Sequence, residues 1–154
     1  MRLAPEASGR TMIRVEKDPD FLNRIANQSA VKPWVDFRDE DTPMDFTPAC
    51  ERYSLTGLVV VSNGEDAFAC FDMTGVNEFQ GHTFFGETCR GRKAIETAKE
   101  MIAWMFARGA KRIWGATAMT NTKARWFNRQ VGFKSIGYDD YEKEGRVELF
   151  EVTA

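Results

Sequence analysis

The longest helical repeat of apolar residues runs through Ala94, Ile95, Ala98, Met101, Ile102 and Met105, at spacings that place them on one side of a helix. This helix is predicted to end at Arg108-Gly109, because glycine readily closes a helix. Upstream the period changes. Tyr53 to Val61 and Ala67 to Met73 are apolar almost throughout, as strands covered on both faces are, and Asn63-Gly64 between them is a hairpin signal. Further strands are predicted at Met12 to Val15, Glu78 to Phe85 and Lys111 to Met119. A last hairpin pairs Lys134 to Tyr141 with Arg146 to Val152 around Glu144-Gly145. Asp18 caps an early helix with Pro19 in its first turn and Phe21, Leu22 and Ile25 on its apolar side. Asn121 opens a short helix carrying Ala124, Phe127 and Val131, which Gly132 stops.

From Gln28 to Cys50 the periodicity is lost. Pro33, Pro43 and Pro48 interrupt the chain and Asp36 to Asp45 is acidic, yet Trp34, Phe37 and Phe46 predict that the segment packs onto something. A loop of this length serves as a lid or functional segment about as readily as it serves simple packing. The order β-α-(loop)-β-β-β-α-β-α-β-β predicts an α/β (α+β) architecture, a mixed and mostly antiparallel sheet with helices on both faces. Residues 1–11 read as a disordered lead and residues 12–154 as one domain.

Composition narrows the partners. The 154 residues are 43% apolar and 29% charged, an ordinary globular balance, and the net charge of −2 gives no global pull toward nucleic acid or an anionic membrane. Trp104, Trp114 and Trp126 are read as core residues rather than as a platform for stacked bases. No apolar run approaches the roughly 20 residues needed to cross a bilayer, and the first residues lack the apolar stretch of a signal peptide. Cys50, Cys70 and Cys89 are odd in number and not closely paired, which fits a reducing, cytoplasmic setting. A single histidine and no CxxC argue against a zinc site.

Candidate chemistry begins with the strand, loop and helix from Phe84 to Ala98. A helix N-terminus offers unpaired N–H groups and a partial positive charge, and here Arg90, Arg92 and Lys93 stand beside it. Cations work against the helix dipole at that end, so either they face solvent or an anion such as a pyrophosphate compensates them.

The second piece is Asn121-Thr-Lys-Ala124-Arg-Trp-Phe127-Asn128-Arg-Gln-Val131-Gly132-Phe133. This segment resembles the N-x-x-A-x-x-x-Y-x-x-x-G-F pattern of the GNAT (Gcn5-related N-acetyltransferase) superfamily, with Asn121, Ala124, Gly132 and Phe133 matching. Arg90-Gly91 resembles the start of that superfamily's pyrophosphate loop, R/Q-x-x-G-x-G/A. The resemblance implies that the strand ending at Phe85 runs parallel to Lys111–Met119 and splays from it. It also implies acetyl-CoA lying over Arg90, Gly91, Arg92, Lys93, Ala94 and Ile95, with its pantetheine along the strand edge near Phe84 and Phe85. Asn121, Ala124 and Asn128 would approach the cosubstrate from the second motif, and an amine of unidentified structure would attack the thioester.

Three positions depart from the pattern. Lys93 stands at the loop glycine and Ile95 at the small residue, where side chains obstruct close approach to phosphates. Asn128 stands at the tyrosine that serves many members as general acid, and an amide cannot deliver a proton. The candidates for general base are Glu78, His82 and Glu87. His82 has the most suitable ordinary pKa, but it shares strand parity with Glu78 and not with Phe79, Gly81, Thr83 and Phe85. Cys89 reads as a small loop residue rather than a nucleophile. A narrower resemblance joins Phe21-Leu22-Asn23, Ala26 to Pro33 and Glu144 to Phe150 to small GNAT-like proteins of tailed bacteriophages and prophages. It implies an alternative: a catalytically inactive head-assembly or internal virion protein with phage structural proteins as partners, found in the virion or the host cytoplasm.

Overall fold

The computed structural model describes residues 12–34, 42–52 and 57–154. The apolar runs pair as the pattern predicts. Strand β2 (Leu58–Ser62) and strand β3 (Ala67–Gly75) form an antiparallel hairpin from Leu58↔Asp72 to Ser62↔Phe68. Of the two turn residues, only Gly64 takes a positive φ. Asn63 acts through its side chain instead: buried Oδ1 accepts the N–H groups of Glu65, Asp66 and Ala67, and Nδ2 donates to Asp66. Strand β1 (Arg14–Val15) adds to the free edge of β2, and β4 (Glu78–Phe85) pairs antiparallel along the length of β3.

The second half of the sheet is built from β5 (Arg112–Ala118), β6 (Lys134–Tyr141) and β7 (Gly145–Thr153), in the order β1-β2-β3-β4-β5-β7-β6. Every neighbouring pair is antiparallel except β4 and β5.

Helices cover both faces. Helix α1 (Pro19–Ala26) is capped by Asp18, which accepts from the Asp20 N–H, and its Leu22, Ile25 and Ala26 are fully buried. They pack with Val60, Phe68, Cys70 and Phe84 on one face. The helix after β4, Gly91–Ala107, lies on the other face and will be called α3. Its Met101 and Met105 meet Val61, Ala69, Phe71, Phe79 and Ile113 there. Helix α4 (Thr122–Val131) lies beside α3 on that same face.

Two short elements interrupt the segment read as irregular: a 3₁₀ turn at Lys32–Trp34 and a six-residue helix α2 (Thr47–Arg52). Pro48, read as a breaker, falls in the first turn of α2, where a missing N–H costs nothing. Asp45 accepts both the backbone N–H and the hydroxyl of Thr47. Phe46 packs as expected, edge-on to Phe68 and Phe84 at 5.3 and 5.6 Å. The N-terminal lead, Phe37 and most of the acidic stretch lie outside the described residues, as does Tyr53 at the start of its predicted strand. Trp126 is a correction: it is 55% exposed rather than in the core. The helix presents Arg125, Asn128 and Arg129 to the sheet, and the 100° step between neighbours turns residue 126 away. No helix among the described residues is long and apolar enough to cross a membrane.

Gly86, directly after β4, holds the loop against the β2–β3 hairpin. Its N–H donates to the Asp66 carbonyl at 2.8 Å, and a Cβ would lie 2.9 Å from that same oxygen. Gly86→Ala should therefore lower stability by about 1–3 kcal/mol, read as a lower urea midpoint at unchanged slope.

Candidate functional site

Strands β4 and β5 are paired at only three positions, Glu78↔Arg112, Phe79↔Ile113 and Gln80↔Trp114. Beyond them β4 stays with β3 as far as Phe85, while β5 stays with β7 as far as Ala118. The two strands therefore part into a V-shaped gap within one sheet, as the resemblance implies. At its apex stand Gly81 and Gly115, and a Cβ on Gly115 would lie 3.6 Å from the Gly81 carbonyl oxygen. The strands are close there, with no side chain on either glycine. At the closed end Arg112 bonds Glu151 at 2.6 Å and Glu78 at 3.5 Å, tying β5 to both neighbours.

The gap leads toward the start of α3. Arg90 is the N-cap in extended conformation, and no side chain caps the helix. The glycine absent at position 93 has a counterpart at Gly91, which takes φ +60° and whose Cβ position meets nothing within 4 Å. The three cations are deployed differently. Lys93 bonds Asp66 at 2.7 Å and Glu65 at 3.1 Å, so for this residue the compensating anion is intramolecular. The hydrogen bond to Asp66 raises the Lys93 pKa above its ordinary value. Burial would raise the Asp66 carboxyl, but hydrogen bonds from Lys93, Thr88 and Asn63 outweigh it and hold the group below the usual range. Arg90 donates to the Ala30 carbonyl at 3.1 Å. Arg92 is exposed, with no side-chain partner among the described residues. Ala94 is buried against Ala67 and Cys89, so only its backbone is available, and Ile95 is half-buried. Cys89 has no exposure, and burial pushes its thiol up to about 11, which leaves it unsuited to nucleophilic attack.

Helix α4 closes the same side. The Asn121 side chain caps it by accepting the Ala124 N–H at 3.1 Å. Phe127 meets the Phe85 ring at 5.2 Å, joining α4 to the far side of the gap. Asn128 donates from Nδ2 to the Thr117 hydroxyl oxygen at 2.9 Å. The residue pattern carried no sign of Thr117. Nor did it single out Glu148, although that carboxylate shares strand parity with Phe150 and Val152, an apolar face where a charge stands out. Glu148 is inaccessible to water and receives Arg125 at 2.9 Å and Arg129 at 2.7 Å. Burial pushes its pKa up, but hydrogen bonds from Ser135, Arg125 and Arg129 outweigh this and set it at about 2.

On the opposite face, His82 lies two residues beyond the last β4–β5 pair, across from Cys70 on β3 and on the same face as Phe84. It is half-buried, and burial lowers its pKa against a weaker opposing pull from Asp72, so the neutral imidazole is favoured. Phe84 stacks on Phe68 at 4.4 Å. Glu78 lies at the closed end, paired with Arg112, and Glu87 is exposed on the loop after β4. Of the three candidate bases, only His82 projects from β4 within the splayed region. Among the described residues no group of His, Cys, Asp and Glu is placed to hold a metal ion.

The sequence matches no family profile and no curated protein. The three-dimensional structure does match solved proteins. A GNAT-family acetyltransferase from Streptococcus pneumoniae superposes with a TM-score of 0.68 at 18% identity, over 94% of this chain and 100% of that one. The chain has the GNAT fold. The ribosomal-protein-S5-alanine acetyltransferase from Vibrio fischeri matches with a TM-score of 0.69 at 16% identity, over 92% and 91% of the two chains. An aminoglycoside acetyltransferase, AAC(6')-Ib, solved with coenzyme A and kanamycin, matches with a TM-score of 0.72 at 15% identity over 94% and 95%. At these identities the likeness establishes architecture, and the GNAT fold accounts for the splayed pair and the flanking helices.

Glu148 offers a stability test. Removing its charge strands two arginines under α4, so Glu148→Gln should destabilise by about 3 kcal/mol at neutral pH. The native pKa is depressed, so this stabilisation is complete above the ordinary value of 4.5 and is lost as pH falls toward about 2. Urea titrations of both proteins should show a gap that closes over that interval.

Proposed function

We propose that the protein is an N-acetyltransferase that moves an acetyl group from acetyl-CoA to an amine. The observation that carries this reading is the three-pair β4–β5 contact, which opens a gap leading to an uncapped helix start beside Arg92, an arginine with no side-chain partner among the described residues. Such a gap exposes strand-edge backbone that an extended amide chain can pair with, and the helix start suits a pyrophosphate. The bound coenzyme A of AAC(6')-Ib, on the same fold, supports it.

In this reading Arg92 and the first N–H groups of α3 hold the pyrophosphate, with Arg90 positioning the loop through Ala30. The strand edge at Phe84 and Phe85 guides the pantetheine. The thioester then lies near the Gly81–Gly115 apex, and the amine approaches from the face that carries His82. A neutral imidazole there accepts the proton that the nitrogen loses as it attacks. Asn128 donates a hydrogen bond but no proton, so the sulfur departs without general-acid help. The reaction belongs in the cytoplasm, where the free thiols of Cys50, Cys70 and Cys89 also fit.

A second reading, a phage head-assembly or internal virion protein without activity, is favoured by one observation. Lys93 occupies the place of a loop glycine, and its charge is already matched by Asp66 and Glu65.

Calorimetric titration with acetyl-CoA separates the two. The wild type should bind, and Arg92→Ala should weaken binding by roughly 1–3 kcal/mol, the value of one charge-assisted contact. No heat of binding in the wild type would favour the assembly role. His82 predicts the pH dependence of transfer. Because its native pKa lies below 6.5, kcat/KM should fall only in acid, as the imidazole protonates. His82→Gln should remove that limb and slow transfer about 10²-fold or more.

A further inference from the structure

We propose that the Thr117 hydroxyl, oriented by Asn128, is the hydrogen-bond donor that stabilises the departing thiolate. This rests on the acetyl-CoA reading above. The Asn128 amide donates to Thr117 Oγ1 at 2.9 Å, which occupies the oxygen as an acceptor and directs the hydroxyl proton away from α4. Among the described residues that proton has no acceptor. The neighbouring carboxylate does not claim it. Thr117 lies directly across from Glu148, but the Glu148 oxygens are taken by Arg125, Arg129 and Ser135.

Position and charge agree with an anionic partner. Thr117 is half-buried and lies three residues beyond the last β4–β5 pair, where β5 no longer has β4 beside it. It is on the face shared by α3 and α4, at the side of the gap that leads to the α3 start. Two arginines against one carboxylate leave a net positive charge beside it. A hydroxyl that donates to sulfur costs no reorganisation when charge develops there, because Asn128 already holds it.

The step balances without a proton from Thr117. The amine lone pair forms the C–N bond at the thioester carbon, and the C–S bond breaks with its electron pair going to sulfur. The nitrogen loses its proton to His82 and from there to water. Coenzyme A leaves as a thiolate held by the Thr117 O–H and takes its proton from solvent.

The test compares coenzyme A with desulfo-coenzyme A by calorimetry between about pH 7 and about pH 9.5, a range that spans thiol ionisation. The wild type should prefer coenzyme A, with the preference growing about tenfold as the thiol ionises. Thr117→Val should bind desulfo-coenzyme A like the wild type but lose that growth, whereas Thr117→Ser should keep it. Asn128→Asp should also lose it, because a carboxylate would draw the hydroxyl proton to itself. In turnover, Thr117→Val should lower kcat about tenfold with little change in KM for acetyl-CoA. A pH-dependent preference that survives in Thr117→Val overturns the proposal, as does its absence in a wild type that binds both ligands. If neither ligand binds the wild type, the acetyl-CoA reading falls first and takes this one with it.

Discussion

The Glu148 carboxylate, shut off from water in the middle of β7, holds α4 to the sheet through Arg125 and Arg129. A charge so placed is costly unless every oxygen is satisfied, and here Ser135 completes the set. Much of the functional geometry follows from that clamp. With Arg125 and Arg129 directed at β7, the same helical surface brings Asn128 over Thr117 on β5. Phe127 is turned sideways onto Phe85, and Trp126 outward to solvent. Helix α4 thus rests on a polar underside, with Val131 its one buried residue.

The sheet behaves as two halves with a short seam. Three parallel pairs and the Arg112 bridge close one end, while Phe85 against Phe127 spans the other from above. Between them the strands diverge because each keeps its antiparallel partner, β3 or β7, to its end. Antiparallel pairing is slightly the stronger per residue, so the parallel seam is where separation costs least.

The start of α3 combines a loop held by internal hydrogen bonds with an outward-facing basic edge. Thr88 and Lys93 lock the loop onto Asp66 in the β2–β3 turn and Gln28 ties it to the end of α1, while Gly91 and Arg92 face outward. A basic stretch that looks like three equivalent cations is a lysine paired with Asp66 and Glu65, a loop tether at Arg90, and Arg92, which has no side-chain partner among the described residues.

The pattern of the chain was enough to predict the seven strands and three of the four α-helices found among the described residues, the N-caps at Asp18 and Asn121 and the stop at Gly132. Each of these depends on near neighbours: apolar spacing, a capping oxygen, a residue that tolerates unusual φ. Helix α2 was hidden because Pro48 and Asp45 are turn formers and helix initiators alike, and six residues carry too little periodicity to choose between them. The partners of Lys93, Thr117 and Glu148 were not legible, although the parity of Glu148 with Phe150 and Val152 marks it as unusual. Their partners lie 27, 11 and 23 residues away in the chain, and which of several carboxylates or amides a side chain meets is set by strand register and helix rotation. Local sequence determined the elements and their order. Only the tertiary structure decided which charges are matched inside the protein and by which partners, because that depends on burial and distance rather than on spacing along the chain.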